Sequence, residues 1–440
     1  MNEINLKKNI LTSGSFRLLI MIASFFTSFM SARYLGVEIK GEYSYLLTMT
    51  SFAWAILDMG VYRSIPYLVR KYPDKIHEVY SYSLCLFLLE SILLGLVGLG
   101  FIGFWSKFLS FELNQTSTLL LVAIITTSKF GMQLQSLQVG MNRIWDLSIA
   151  RFLSSIFTVI LLLIALLFIS DVNRLTFMLA IILGSQLMMI GYILGSTKLG
   201  PITIHIDPAL LKIIYTYGFR VFVSSLLVTF LIRADIILIK RALDYSQVGI
   251  YSIAANIIDV LQIASNTVGS LLLVKLADSV TIEEKWDIMR RIIFVFTIVL
   301  GVANVCFIIF GKLLLGLFFG MDFIPVYGVY LWLIPASFSL SFGSLFNNYL
   351  NSKGFPIISV VFPAIALLLN ISLNLLLIPV YGIYGAALAT SIAYTLWFAL
   401  IVVYEHYTTG RVMLSYLVPR KSDVVEIRDF AVSLLPARKH

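Results

Sequence analysis

The chain has 440 residues, of which 59% are apolar and only 12% charged, with a formal net charge of +9 and a mean hydropathy of +0.94. A soluble domain carries about a quarter charged residues, so a soluble globular fold is excluded. The two cysteines, Cys85 and Cys306, both sit inside apolar runs; they exclude a disulfide framework or a cysteine metal motif and read as buried packing residues.

In chain order, runs long enough to cross about 30 Å of hydrocarbon, about 20 residues each, fall at roughly 10–32, 43–61, 80–105, 118–139, 147–169, 175–195, 213–239, 249–274, 292–311, 327–350, 356–378 and 383–404. They predict an all-α polytopic membrane protein of about twelve transmembrane helices. Barrel strands would alternate over about ten residues, whereas stretches such as TVILLLIALLFI are apolar on every side. The first run follows Lys7 and Lys8, is too long for a signal-peptide core, and reads as a retained helix. Lys and Arg number 20 in one set of alternate loops and the C-terminal tail, against 7 in the other set, which includes Arg33 and Lys40. The bias places both termini in the cytoplasm, and the net charge then reflects topology and attraction to anionic lipid, not nucleic acid. The longest internal connections, about 62–79, 196–212 and 275–291, are too short to fold as separate domains.

A short pattern occurs twice: Leu35, Gly41, Tyr43 and Ser44, then Leu243, Gly249, Tyr251 and Ser252, with an offset of 208 residues. A second echo, Phe130–Gly131 and Phe342–Gly343, has an offset of 212. Six runs per half is an even number, so the halves are expected to be parallel repeats about an axis along the membrane normal, with a substrate path between them. The expected units are a six-helix lobe over 1–200, a second over 201–410 entered through Pro201 and Pro208, and a basic cytoplasmic tail over 411–440. Each copy of the pattern is expected to form an outer loop and the start of the next helix.

Charges inside spans are costly, about 2.5–3.5 kcal/mol each at mid-helix, and are functional candidates by default. The basic ones are Arg17, Lys129, Arg151, Arg220 and Arg233; the acidic ones are Asp58, Glu90, Asp235 and Asp259. Ser24, Ser28 and Ser31 share a face with Arg17, and Thr126 and Gln133 share one with Lys129. Ser252, Asn256, Asp259, Gln262 and Asn266 form a third stripe, and Arg220, Ser224 and Asp235 a fourth. Such stripes either join helices or line a wet interior. Cations in a central cleft suit an anionic, phosphate-bearing substrate. Amides at Asn256, Gln262, Asn266, Asn347, Asn351, Asn370 and Asn374 suit sugar hydroxyls. Glu90 and Asp259 are the carboxylates best placed for ion coupling; Asp235 is expected to pair with Arg233 or Arg220, and Asp58 with Arg63. No phosphate-cradling Gly-rich loop is present, and the four histidines fall in loops or tails. Neither a cofactor, a metal site nor catalysis is expected.

ARYLGVEIKGEYSYLLT followed by LDMGVYRSIPYLV resembles the start of polysaccharide flippases in the multidrug/oligosaccharidyl-lipid/polysaccharide exporter superfamily. RADIILIKRALDYSQVGIYSIAANIIDVL resembles the beginning of their second half, and LIPVYGIYGAALATSIAY their last helix pair. The resemblance implies two lobes in a V shape that open alternately to either side of a bacterial inner membrane. It implies as cargo an undecaprenyl-pyrophosphate-linked oligosaccharide, flipped to the outer leaflet for O-antigen or capsule assembly. Membrane lipids, a coupling proton or sodium ion, and other polysaccharide-assembly membrane proteins are the further partners expected. Two other readings were open: an ion-coupled extruder of drugs or cations, expected to have an acidic cavity, and a glycan polymerase or ligase, expected to carry a large outer loop.

Overall fold

A computed structural model describes residues 3–100, 114–169, 173–197, 202, 207–278, 282–352 and 357–409. Within these, the side chains of 3–15, 17, 209, 217, 220, 263–288, 348, 351, 352 and 409 lie outside the description. Every regular element is helical among the described residues. In lipid, where no water can satisfy a free peptide group, an apolar segment has little choice but to close its hydrogen bonds internally.

The helices are α1 (Glu3–Asp58), α2 (Val61–Lys71), α3 (Ile76–Gly100), α4 (Gln115–Gly140), α5 (Ile144–Phe168), α6 (Arg174–Ser196), α7 (Pro208–Ala242), α8 (Tyr245–Asp278), α9 (Ile282–Leu314), α10 (Val326–Ser352) and α11 (Ile358–Thr409). Among the described residues, nine segments are long and apolar enough to cross a membrane. Two of them each hold a pair of spans. Straight, the 56 residues of α1 would measure about 80 Å at about 1.5 Å per residue, far beyond a bilayer. The helix instead turns at Gly36, whose φ of 74° and ψ of 175° are open to glycine alone. Gly382, at φ 58° and ψ −140°, does the same within the 52 residues of α11. Helix α8 covers the eighth expected run, so every run lies on a helix; residues 101–105 lie outside the description.

Three local expectations are corrected. The segment 33–42 is not a loop: helix runs through it on either side of Gly36. The second copy of the pattern also lacks an extended loop, because α7 and α8 are separated only by Leu243 and Asp244, with Asp244 Oδ1 accepting the N–H of Gln247 at 2.9 Å. The connection at 62–79 is mostly α2 and a 3-10 turn, Pro73–Lys75; α2 buries Val61, Ile65, Leu68 and Val69 on one face. A fourth correction concerns the cysteines. Cys85 and Cys306 are exposed, on helices whose outward faces are otherwise Leu, Ile and Val, so they face lipid and do not pack inside.

Helix α3 packs on α4, and α4, α5 and α6 pack with one another and against α1, while α7, α8, α10 and α11 pack together in the second half. The halves meet where α1 and α2 run against α7 and α8. The two copies of the repeated pattern touch each other there. A Cβ on Gly41 would lie 1.7 Å from the carbonyl oxygen of Tyr245, and one on Gly249 would lie 2.1 Å from that of Val37. Only glycine permits this approach. Ser44 Oγ donates to Ser252 Oγ at 2.9 Å, a bond between positions equivalent in the two copies. At the far end of the same seam, Phe52 stacks on Phe230 with centroids 4.3 Å apart, and Gly60, at φ 86°, packs against the backbone of Gly218.

Candidate functional site

Between the halves, beside the Gly41–Gly249 seam, lies a cavity of about 520 Å³. Eleven of its nineteen lining residues are Ser or Thr, drawn from α1, α5 and α8. Most of these hydroxyls donate to the backbone one turn back on their own helix: Ser24 to Ile20 O at 2.8 Å, Thr48 to Ser44 O at 2.9 Å, Ser155 to Arg151 O at 2.9 Å and Thr158 to Ser154 O at 3.0 Å. With their protons held there, the oxygens present lone pairs to the interior. The cavity is therefore rich in hydrogen-bond acceptors for a polyhydroxylated guest.

Among the described residues, its charges are Arg233, Asp259 and Lys40. Arg233 donates to Asp259 Oδ2 at 2.6 Å, both side chains being about 30% exposed. Lys40 is 2% exposed; its Nζ donates to Ser31 Oγ at 2.7 Å and lies 4.9 Å from the centre of the Tyr43 ring. It belongs to none of the ion pairs among the described residues.

A second, apolar cleft of about 130 Å³ opens beside the first and shares Ser28, Asn256 and Val260 with it. Its walls are Phe25, Phe307, Leu314, Leu315, Phe318 and Phe319. Phe318 and Phe319 lie in a π-helical turn, Leu315–Phe319, at the end of α9. Arg33 holds that turn to α1 by donating from Nε to the Phe318 carbonyl at 2.6 Å, and Phe25 meets Phe318 edge-on at 5.7 Å.

Four further intramembrane charges, Lys129, Glu90, Asp58 and Asp235, fall in two clusters outside this cavity. In the first half, Lys129 of α4 is ion-paired with Glu90 of α3. Beside them, Asp58 accepts from Gln133 Nε2 at 2.8 Å and from the N–H of Tyr62 at 3.0 Å. Asp58 thus caps the start of α2, and the expected pairing with Arg63 is replaced by one between Arg63 and Ser225 Oγ at 3.3 Å. In the second half, Asp235 is 1% exposed and accepts from Tyr251 Oη at 2.7 Å, Thr390 Oγ1 at 2.6 Å and Asn374 Nδ2 at 2.9 Å. The expected pairing of Asp235 with Arg233 does not form, because Arg233 is committed to Asp259. Asn370 supports Asn374 from one turn away, its Oδ1 accepting at 3.0 Å. A narrow space lined by Arg233, Asp235, Tyr251, Asp259 and Thr390 joins this cluster to the Arg233–Asp259 pair.

Of the remaining sequence candidates, Asn256 lines both cavity and cleft. Arg151 donates to Gln135 Oε1 at 2.8 Å, Gln262 donates to Ser344 at 3.1 Å, and Asn347 lies half-buried on α10 with its Oδ1 accepting no hydrogen bond. The side chains of Arg17, Arg220, Asn266 and Asn351 lie outside the described residues.

Residues 6–274 match the model of a family described as polysaccharide biosynthesis protein. The chain belongs to that family. No curated protein matches it. Among solved structures, it resembles a lipid II flippase, MurJ, in an inward closed conformation, with a TM-score of 0.68 at 14% identity over 97% of this chain and 94% of that one. It is also similar to an inward-facing multidrug resistance MATE family transporter, at 0.70 and 14% identity over 91% and 98% of the two chains. A MATE transporter from Vibrio cholerae follows, at 0.64 and 12% identity over 94% and 99%. At these identities the shared property is the fold: a multi-pass helical membrane protein of the MATE and MurJ type.

Three contributors to the family member's cavity escaped sequence reasoning: Lys40, the α5 hydroxyls of Ser154, Ser155 and Thr158, and the row Tyr43, Thr48 and Ser51 on α1. The i, i+4 spacing of Ser154 and Thr158 was a usable signal; Lys40 was hidden by its assignment to a loop.

Proposed function

We propose that the protein is a flippase for an undecaprenyl-pyrophosphate-linked oligosaccharide, working in the bacterial inner membrane for O-antigen or capsule assembly. One observation carries the reading: an acceptor-rich polar cavity opens directly into a phenylalanine-walled cleft. That pairing suits an amphiphile, with a sugar head among hydroxyls and a polyprenyl tail among rings. A cationic drug would want an uncompensated carboxylate in the cavity, but Asp259 is neutralised by Arg233. A polymerase or ligase would need a catalytic outer domain, and the connections among the described residues are short.

In this reading the halves are the two lobes, 1–200 and 201–410, with 411–440 a cytoplasmic tail, and the glycine seam closes the outer end. Cargo enters from the cytoplasmic leaflet, and the Gly41–Gly249 seam parts to release it. Cations of the interior, Arg233 and the candidates Arg17, Lys129, Arg151 and Arg220, engage the diphosphate or balance its approach. Asp235, held by hydroxyls and an amide, is the site where a proton or sodium ion would act. The narrow space to Arg233 and Asp259 carries its charge state to the cavity wall. Lipid-linked repeat units accumulating on the inner leaflet of cells lacking the protein would support the reading; accumulation on the outer leaflet would refute it.

A further inference from the structure

We infer that Lys40 is the residue that receives the anionic end of the cargo, binding a phosphate oxygen at the sealed end of the cavity. The inference rests on the flippase reading and adds to it a residue and an orientation. Taking a charge out of water without a partner costs several kcal/mol, and a chain normally avoids it. Two other described cations within the spans have carboxylate partners, Lys129 with Glu90 and Arg233 with Asp259, while the exposed Arg151 donates to Gln135. Among the described charged residues that line the cavity, Lys40 alone belongs to no ion pair. An ammonium has three donors; one goes to Ser31 Oγ, and the Tyr43 ring offers only its face. A donor remains for a guest, and an anion beside it favours the charged form of the amine.

The repeated pattern removes the simplest alternative, that lysine is required for packing there. Counting from Leu35 and Leu243, the position equivalent to Lys40 is Val248, which is fully buried in the same seam. An apolar residue therefore satisfies this architecture, and the cation is an addition confined to the first half. Its surroundings also suit an anion. The neighbouring hydroxyls Ser31 and Ser44 donate elsewhere, to Ser28 O and to Ser252, so Lys40 is the cationic donor at this end, beside the Tyr43 hydroxyl. Ser31, Tyr43 and Lys40 all line the cavity. A phosphate oxygen can replace Ser31 as the acceptor through rotation of the lysine side chain, without movement of a helix. Beside Lys40 the Gly41–Tyr245 approach packs backbone on backbone, and the low dielectric of so close a wall strengthens a charge–charge term.

The test uses the purified full chain in detergent, with undecaprenyl diphosphate and uncharged undecaprenol as probes. The wild type is expected to bind the diphosphate and gain thermal stability from it, and to gain little from undecaprenol. Lys40→Met is expected to weaken diphosphate binding about ten- to a hundredfold, the usual worth of a hydrogen bond to a charged group. Its Tm without ligand should hold or rise, because a lone buried charge has been removed. Lys40→Gln, which keeps a donor for Ser31 and removes only the charge, should lose binding alike. Wild-type affinity for the diphosphate in either folded variant overturns the assignment to Lys40 while leaving the cargo reading intact. A wild type that does not distinguish diphosphate from undecaprenol overturns the cargo reading itself.

Discussion

Replacing Gly41 with alanine should unseal the cavity. The added Cβ would lie 1.7 Å from the carbonyl oxygen of Tyr245 and 2.6 Å from its carbonyl carbon. Both are backbone atoms of α8, so no rotamer change relieves the clash. An ordinary contact needs about 1.5–2 Å more room, and α1 must part from α8 at that end to provide it. Overpacking of this kind costs about 1–3 kcal/mol, which shifts the sealed-to-open ratio by a factor of about 5 to 150. The readout is a cysteine pair at Ser44 and Ser252, whose side-chain oxygens are 2.9 Å apart in the sealed seam, in a background with Cys85 and Cys306 replaced by Ala. Efficient oxidative cross-linking is expected with Gly41 present, and a several-fold slower reaction after Gly41→Ala. An unchanged cross-linking rate in the alanine variant would refute the claim that glycine-to-backbone packing holds this end shut.

Other perturbations separate the roles of the two buried clusters and the cleft. Lys129→Ala strands Glu90 in the interior and should cost about 3–5 kcal/mol, whereas removing both charges with apolar residues should recover most of that loss; equal Tm values for the single and double variants would contradict the pairing. Asp235→Asn keeps partners for Tyr251 and Thr390, so the protein should fold normally while flipping in proteoliposomes loses its response to an imposed proton or sodium gradient. A response of wild-type size in that variant would remove Asp235 from coupling. Phe318→Trp, filling the apolar cleft, should slow flipping of a lipid-linked sugar without lowering membrane levels of the protein, and normal surface polysaccharide in that strain would argue against the cleft as the tail's path.

The sequence alone determined the membrane class and where along the chain the apolar helices lie. Bilayer thickness imposes one length on every span, and apolar runs of that length are visible without coordinates. The repeated Leu-x5-Gly-x-Tyr-Ser pattern also pointed to a meeting of the halves, because glycine at matching sites marks a close approach of backbones, here Gly41 and Gly249. What only the tertiary structure decided was which charges are neutralised and which face the cavity. Lys129 and Glu90 are 39 residues apart, and nothing local to either predicts that α3 lays one beside the other. Helical spacing puts Ser24, Ser28 and Ser31 on one face and Ser154 and Thr158 on another, but Ser and Thr give the same i−4 bond whether they face lipid, a helix or a guest, so the spacing could not say that the two faces share a cavity. Lys40 looked like a loop residue because hydropathy places a charge outside the membrane. Its burial follows from Gly36 turning the helix and Gly41 letting α8 close over it, and both are facts of packing geometry that hydrophobicity does not encode.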